Sequence, residues 1–345
     1  MTSAREMIQK ATRRADGQVI AEAVAQAKLG KSNGRLQLAA VMAWVAYSCP
    51  AASEAVYDNI CSCWLGTGPT PDIPMGLPEA PLEDSFWQAF WTVVDGPEGG
   101  YDAITVTVAV SELADAVHPD YEKFAEQHAA GFEGSAISVS SPIPGHTDFD
   151  ELARCPEKSL GKSLYNMIVE NGYDPEVLDR ESIKLSAMPH SLHYLNARIL
   201  QMHDVWHLVA GYETTSSNEI AISAFQLAQF GHNYSAMFLA VGMAMSITQE
   251  PRGFSIIMQI VAEAWQHGRE TPFMMNIEWE KEWNNSLKDI RATHGIRTYK
   301  SVFPTDMLET VESAPVWKKL TLSYPLLKYH FLLRRTNDFP RAAMQ

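Results

Sequence analysis

Between His193 and Gly211, five apolar residues (Leu195, Ile199, Met202, Trp206 and Val209) recur at three- and four-residue steps, which only an α-helix gathers onto one face. The stripe predicts a helix over His193–Ala210, stopped by Gly211 and buried on one side against other elements. His203, Asp204 and His207 share this stretch. At about 100° per residue they fit one arc of roughly 100° that flanks the stripe, within reach of a single ion. Glu219 follows His207 after eleven residues, where a second helix across the turn can present it to the same ion. In a chain with 11 His, a His-Asp-x-x-His pattern arises by chance roughly one time in fifty. Two imidazoles and two carboxylates form a usual ligand set for a divalent metal.

Other roles for these and neighbouring residues have physical grounds. Ser216-Ser-Asn-Glu219 has the spacing of a capping box, so Glu219 is expected to start its helix as well as to bind the ion. His190 and His193, in Pro-His-Ser-Leu-His, are expected as polar surface or a helix start, with a ligand role the lesser option. His267, near the end of its helix, suits an interaction with the helix dipole. The Met and aromatic residues between Met237 and Met275 are expected in the core, with the lining of a cavity for a long apolar chain as the sharper alternative.

Helical periodicity extends well beyond this stretch. Leu160–Asn171 is closed by Gly172, and Asn218–Phe230, Ser235–Ile247, Phe254–His267 and Ile277–His294 complete a six-helix set with the motif helix. Upstream, Ala4–Leu29, Arg35–Tyr47, Glu83–Val94 and Val110–Val117 also have helical character. Ile104–Val108 is ambiguous because its β-branched residues alternate. Gly66–Pro81, with five Pro and three Gly, is a loop or linker, and Ser135–Asp150 is the best boundary. The expectation is an all-α fold, a multi-helix bundle with a metal-binding motif helix. It would comprise a mainly helical N-terminal extension over 1–149, the metal-binding region over 150–297 and a basic C-terminal extension over 298–345.

Charge and cysteine usage narrow the partners. A net charge of −14 argues against nucleic acid, but the charge is uneven. Cys49–Lys158 holds 19 Asp plus Glu against three Lys plus Arg, whereas Trp317–Gln345 holds six Lys plus Arg against Asp338 alone. The basic and apolar mixture from Trp317 to Arg335 suits either a peripheral contact with an anionic membrane or a packed arm, and Pro325 prevents one continuous helix there. The longest apolar runs, Leu38–Cys49 and Ala236–Ile247, are twelve residues each, too short to span a bilayer. Cys49, Cys61, Cys63 and Cys155 show no metal-knuckle spacing and no secretory signal precedes them. They are expected as reduced thiols in a cytoplasmic protein, peripheral at most on the inner face of the membrane.

His203-Asp204-Val-Trp206-His207-Leu-Val-Ala-Gly211, with Thr214-Thr215 and Glu219, resembles the signature of the coenzyme Q (ubiquinone) biosynthesis protein 4 family. Pro156-Glu-Lys-Ser159-Leu160-Gly161 resembles the family's opening segment, and Arg198 matches an Arg five residues ahead of the first motif His. Gly268-Arg269, Trp279-Glu280, Arg291 and Gly295-Ile296 are similar to its C-terminal segment. The resemblance spans about residues 150 to 297.

The resemblance implies an all-helical protein that binds a divalent metal, usually zinc, through His203, Asp204, His207 and Glu219, which are then also the catalytic residues. Iron or manganese would also suit a set with two carboxylates. The implied activity is ubiquinone-pathway C1 decarboxylation, in some accounts oxidative, of a prenylated 4-hydroxybenzoate-type intermediate. Expected partners are that prenylated aromatic substrate, other ubiquinone biosynthesis proteins and further copies of the chain in a homo-oligomer. Two alternatives remain: a non-catalytic prenyl-lipid-binding scaffold for the pathway's enzymes, and a His-Asp metal phosphohydrolase. The latter leaves His207 and Glu219 unexplained.

Overall fold

The computed structural model of the chain describes residues 3–308, apart from 69, 174–178, 182, 250 and 252. The basic segment from Trp317 to Arg335, with its expected membrane contact, lies outside the described residues. The first half carries α1 (Ala4–Ala11), α2 (Gly17–Lys28), α3 (Ser32–Tyr47), α4 (Ser53–Leu65), α5 (Asp84–Asp95), α6 (Ala103–Glu112) and α7 (Asp120–Gly131). The second half carries α8 (Phe149–Arg154), α9 (Leu160–Asn171), α10 (His190–Ala210), α11 (Ser216–Phe230), α12 (Asn233–Thr248), α13 (Phe254–Glu270) and α14 (Leu287–His294). Among the described residues there is no strand, only an isolated antiparallel bridge between Ser159 and Ser286. The fold is all-α.

Local capping explains where the elements differ from the periodicity. The helical stretch expected over Ala4–Leu29 is two helices, because Asp16 caps a new start by accepting from Val19 N at 2.9 Å. The ambiguous Ile104–Val108 lies inside α6, where Asp102 and Thr105 form a reciprocal capping box that outweighs β-branching. Val110–Val117 finishes as a tight 3-10 turn over Leu113–Ala116.

Ile277–His294 is not one helix. A 3-10 turn over Trp279–Lys281 and a separate α14 replace it, with Ser286 capping α14 through Asp289 N at 3.2 Å. The carbonyls of Trp283 and Asn285 accept from Gly161 N (2.9 Å) and Leu160 N (2.8 Å), so they cannot serve a helical ladder. The Ser159-Leu160-Gly161 segment and the Trp279–Ser286 stretch are thus joined through backbone.

The core runs through both halves of the chain. Every residue from Leu38 to Tyr47 is buried, so α3 is apolar all round and sits inside the bundle, packed on α1, α2 and α12. Tyr47 donates to the carbonyl of Met237 at 3.2 Å. α4 packs on α13, where Tyr57 stacks on Trp265 (5.0 Å) and Trp265 Nε1 donates to Asp58 at 2.8 Å. Arg269 closes the same contact by pairing with Glu54 at 3.0 Å. Met237, Met243, Met258, Met274 and Met275 are buried core residues, as the blander expectation had it. Each fully buried large apolar side chain here contributes on the order of 1.5–3 kcal/mol.

α11 packs closely on α13 at Gly268, where a Cβ would lie 2.7 Å from Ala228 Cβ and 3.0 Å from the Phe225 carbonyl. A Gly268→Ala variant is therefore expected to lose about 1–3 kcal/mol to overpacking. Thermal unfolding measures it, at about 2–4 °C per kcal/mol for a chain approaching this size. A melting temperature equal to the parent's would mean that the helices yield freely.

His128, on α7 near Ser53 and edge-on to Phe132, is pushed by burial down to about 4. The unfolded imidazole titrates near ~6.5, so the unfolded chain binds more protons between the two values. This contribution to stability is present above about pH 6.5 and is lost as the pH falls toward about 4. His128→Asn should flatten the fall of the denaturation midpoint over that window, and an unaltered slope would show that His128 does not carry it.

Candidate metal centre

α10 presents the two histidines because both of its ends are held by side chains from elsewhere. At its start, Glu126 of α7 accepts from Ser191 N (3.0 Å) and Leu192 N (2.9 Å), which satisfies two otherwise unpaired amides at the positive end of the helix. At its end, Arg291 of α14 donates to the carbonyls of Leu208 (2.6 Å) and Val209 (2.8 Å), and Tyr299 N donates to that of Ala210 at 2.7 Å. Gly211 then turns the chain in the left-handed region (φ 78°), and a Cβ there would also run into Thr298 at 2.8 Å. In mid-helix, buried Arg198 forms a two-pronged pair with Glu280, anchoring α10 to the Trp279–Lys281 turn.

Leu195, Ile199, Met202, Trp206 and Val209 are all buried, as their spacing predicts, with Trp206 tilted against Phe230 at 4.4 Å. The candidate ligands lie at the edge of that stripe. His203 Nε2 and His207 Nε2 are 3.0 Å apart. Glu219 reaches across from α11 and sets one carboxylate oxygen 3.4 Å from each of these nitrogens. Asp204 completes a group with the two histidines in which the potential ligand atoms lie within 4.8 Å of one another. His207 is 1% exposed, His203 28% and Glu219 36%, so the site is floored on one side and accessible from the other.

The polar groups of the site act on one another. His207 Nδ1 lies 3.2 Å from the carbonyl of Tyr212, to which it can donate, so Nε2 is the ring nitrogen turned toward His203 and Glu219. Burial alone would raise the Glu219 carboxyl, but hydrogen bonds from His203 and His207 and their charge hold it well below the usual carboxylate range. Burial works against charge on His203 too, and Glu219 with Asp204 overcomes it and raises that imidazole. Without a cation or proton between them, lone pairs 3.0 Å apart would repel. His203, Asp204 and His207 form a group that could hold a divalent metal, with Glu219 beside the two imidazoles.

Several expectations change in place. Glu219 does not form a capping box: Thr215 is the N-cap, Ser216 is already helical, and the Glu219 carboxylate goes to the histidines. The extra helical residue moves Glu219 one position beyond the one a capping box requires. His190 and His193 open α10 behind Pro189 as a helix start, and the ten residues from His193 to His203 span about 15 Å of helix. His267 is no charged partner of a helix dipole. Burial lowers its pKa, Tyr212 Oη lies 2.8 Å from its Nδ1, and its Nε2 donates to the Arg297 carbonyl at 2.8 Å. Gln226, 2.8 Å from His203 Nδ1, was not anticipated, although its seven-residue offset from Glu219 places both on one face of α11. Glu126 gave no sequence signal, because its role depends wholly on tertiary packing.

Fold and site together define an all-α protein in which a glycine turn joins two helices whose histidines and carboxylates converge. Residues 136–300 match the family model described as Coenzyme Q (ubiquinone) biosynthesis protein Coq4, and the chain is similar to that family over this region. Among curated proteins, the chain is 25% identical over 173 residues to the mitochondrial ubiquinone biosynthesis protein COQ4 of Coprinopsis cinerea, covering 50% of this chain and 58% of that protein. It is 27% identical over 169 residues to the mitochondrial COQ4 homolog of Homo sapiens, covering 48% of this chain and 61% of that one. A solved structure from Nostoc punctiforme PCC 73102 is 22% identical with a TM-score of 0.48, covering 62% of this chain and 97% of that chain.

The names of the two relatives place those proteins in mitochondria, which departs from the cytoplasmic location expected from unpaired thiols. All four cysteines are indeed free. Among the described residues no helix is long and apolar enough to cross a membrane.

The geometry ranks the two acidic residues. Glu219 bridges both imidazoles, whereas Asp204 sits in the wider group. Glu219→Gln is therefore expected to weaken cobalt(II) binding about 100-fold, and Asp204→Asn about tenfold, within the range seen when ligand shells are disturbed. Calorimetric titration of the two variants checks this order, and a larger loss for Asp204→Asn would reverse it.

Proposed function

We propose that this chain acts in ubiquinone biosynthesis as a metal-dependent enzyme that removes the C1 carboxyl from a prenylated 4-hydroxybenzoate-type intermediate. The observation that carries this reading is the convergence of His203, His207 and Glu219 at the rim of an apolar core, within the region similar to the Coq4 family. His203, His207 and Glu219 would hold the ion, with Asp204 as the further ligand, and zinc is the first candidate. When bound, the metal supplies Lewis acidity that positions and polarises an oxygen of the substrate.

The chain's own groups account for the rest. Met202 and Trp206 are buried in the apolar stripe beside the site, while the partly exposed His203 and Glu219 mark the side from which a substrate approaches. The aromatic carbon bearing the carboxylate takes up a proton, the bond to the carboxylate then breaks, and carbon dioxide departs with hydrogen left in its place. The para-hydroxyl of the ring stabilises the dienone formed in between. The proton comes from water on the open side of the site, where His203 and Glu219 are partly exposed.

The test uses the full chain loaded with zinc(II), and in parallel with iron(II) or manganese(II), on a 4-hydroxy-3-methoxy-5-polyprenylbenzoate. Carbon dioxide release should fall at least about 100-fold in His203→Ala and Glu219→Gln, with folding unchanged by circular dichroism. Variants that keep full pathway function and prenyl-lipid binding without the metal would instead make the chain a lipid-holding scaffold.

A further inference from the structure

A cavity of about 310 Å³ lies where the end of α1 and the end of α3 meet the segment that leads into α5. Its volume is at the lower end of the range for small-molecule sites, about 300 Å³. Every residue lining it falls between Gln9 and Trp87, ahead of the family-matched residues 136–300. The decarboxylation proposed above gives this cavity no task.

The hydrogen-bond donors on its wall are largely spent within the protein. Trp44 Nε1 donates to Glu79 Oε2 at 3.0 Å, Thr12 Oγ1 to the Ile8 carbonyl at 2.8 Å and Ser48 Oγ to the Ala80 carbonyl at 2.6 Å. A hydroxyl that has given up its proton in this way keeps only lone pairs, and a carboxylate can only accept. Trp44 is buried, so its indole holds the exposed Glu79 carboxylate at the cavity and takes up one of its oxygens. The wall is therefore left with acceptors and a negative charge.

No cationic side chain answers that charge from inside. Among the described residues that line the cavity there is no Lys, Arg or His. Of the basic residues on the adjacent stretch, Arg5 pairs with Asp95 and Arg14 donates to the Ile73 carbonyl at 2.8 Å. Lys10 and Arg13 are exposed and do not line the cavity. An anion would be repelled by Glu79, and a neutral guest would strip water from the carboxylate without replacing the lost interaction. A divalent ion would meet one carboxylate among neutral oxygens, far short of the charge and ligand number that hard cations use. What fits is a guest that donates hydrogen bonds and carries one positive charge. A primary ammonium group has three N–H donors, and Leu82 and Trp87 add apolar surface for a short carbon chain beside it.

We propose that this cavity binds a short primary alkylammonium ion, with the ammonium group against Glu79 and Thr12 and the alkyl chain against Leu82 and Trp87. The site is independent of the metal centre, and its success or failure leaves the reading of His203, His207 and Glu219 untouched.

The test is an NMR titration of the full chain with ¹⁵N-labelled tryptophan, at neutral pH and low salt. The Trp44 indole N–H is bonded to Glu79, so its signal reports directly on what reaches that carboxylate. The probes are n-butylammonium, the neutral n-butanol and the anionic butyrate. The Trp44 and Trp87 signals should shift saturably with n-butylammonium, bind n-butanol at least about tenfold more weakly and not respond to butyrate. Added salt should weaken the n-butylammonium response. Glu79→Gln, which keeps an oxygen to accept from Trp44, should lose about tenfold in affinity for n-butylammonium. The proposal is overturned by n-butanol binding as tightly as n-butylammonium, by undiminished affinity in Glu79→Gln, or by no saturable shift in the parent. If Glu79→Gln does not fold, the order of the three probes on the parent still decides.

Discussion

Two imidazole nitrogens 3.0 Å apart, facing a carboxylate, keep that geometry only if the two helices that carry them are held in register. The surrounding fold has to supply the restraint. α10 is tied at its start by Glu126, in its middle by the Arg198–Glu280 pair and at its end by Arg291. α11, which brings Glu219, is held against α13 by a contact so close that only a glycine fits. These ties fix where each of the two helices presents its side chains.

Much of this restraint comes from outside the family-matched region of 136–300. Glu126 belongs to α7, while Glu54 and Asp58, which pair with Arg269, belong to α4. α3 is buried on all sides and packs directly on α12. The N-terminal helices therefore supply a capping anion and core surface to the same helices that present the site.

The sequence alone revealed whatever depends on helical period. The stripe from Leu195 to Val209, the flanking position of His203 and His207 and the stop at Gly211 follow from one residue spacing and one backbone geometry. Glu219 was found, but its capping role was not borne out, because the helix began one residue earlier than the capping-box spacing requires. Ile277–His294 was misjudged for a similar reason. Its period is helical, yet the carbonyls of Trp283 and Asn285 are taken by the N-terminal amides of a distant helix. A long-range backbone pairing leaves no trace in local composition. The same holds for Glu126, an acidic residue in an acidic stretch until α10 is placed beside it.

The motifs that looked like scattered family marks have one common physical content. Ser159 caps α9 beside the backbone pairing that fixes the Trp279–Ser286 stretch, and Glu280 in that stretch holds Arg198. Arg291 leaves the following helix to close the end of α10, and Gly211 makes the turn that Thr298 and Tyr299 cover. Gly268 sets the distance between α13 and the helix bearing Glu219. Each of these residues acts on the position or termination of α10 or α11, and the candidate ligands lie on those two helices. A helix pair fixes the direction of its side chains more firmly than loops do, provided its ends and its spacing are fixed. The residues around the candidate site serve that condition, which leaves its four side chains with a fixed direction.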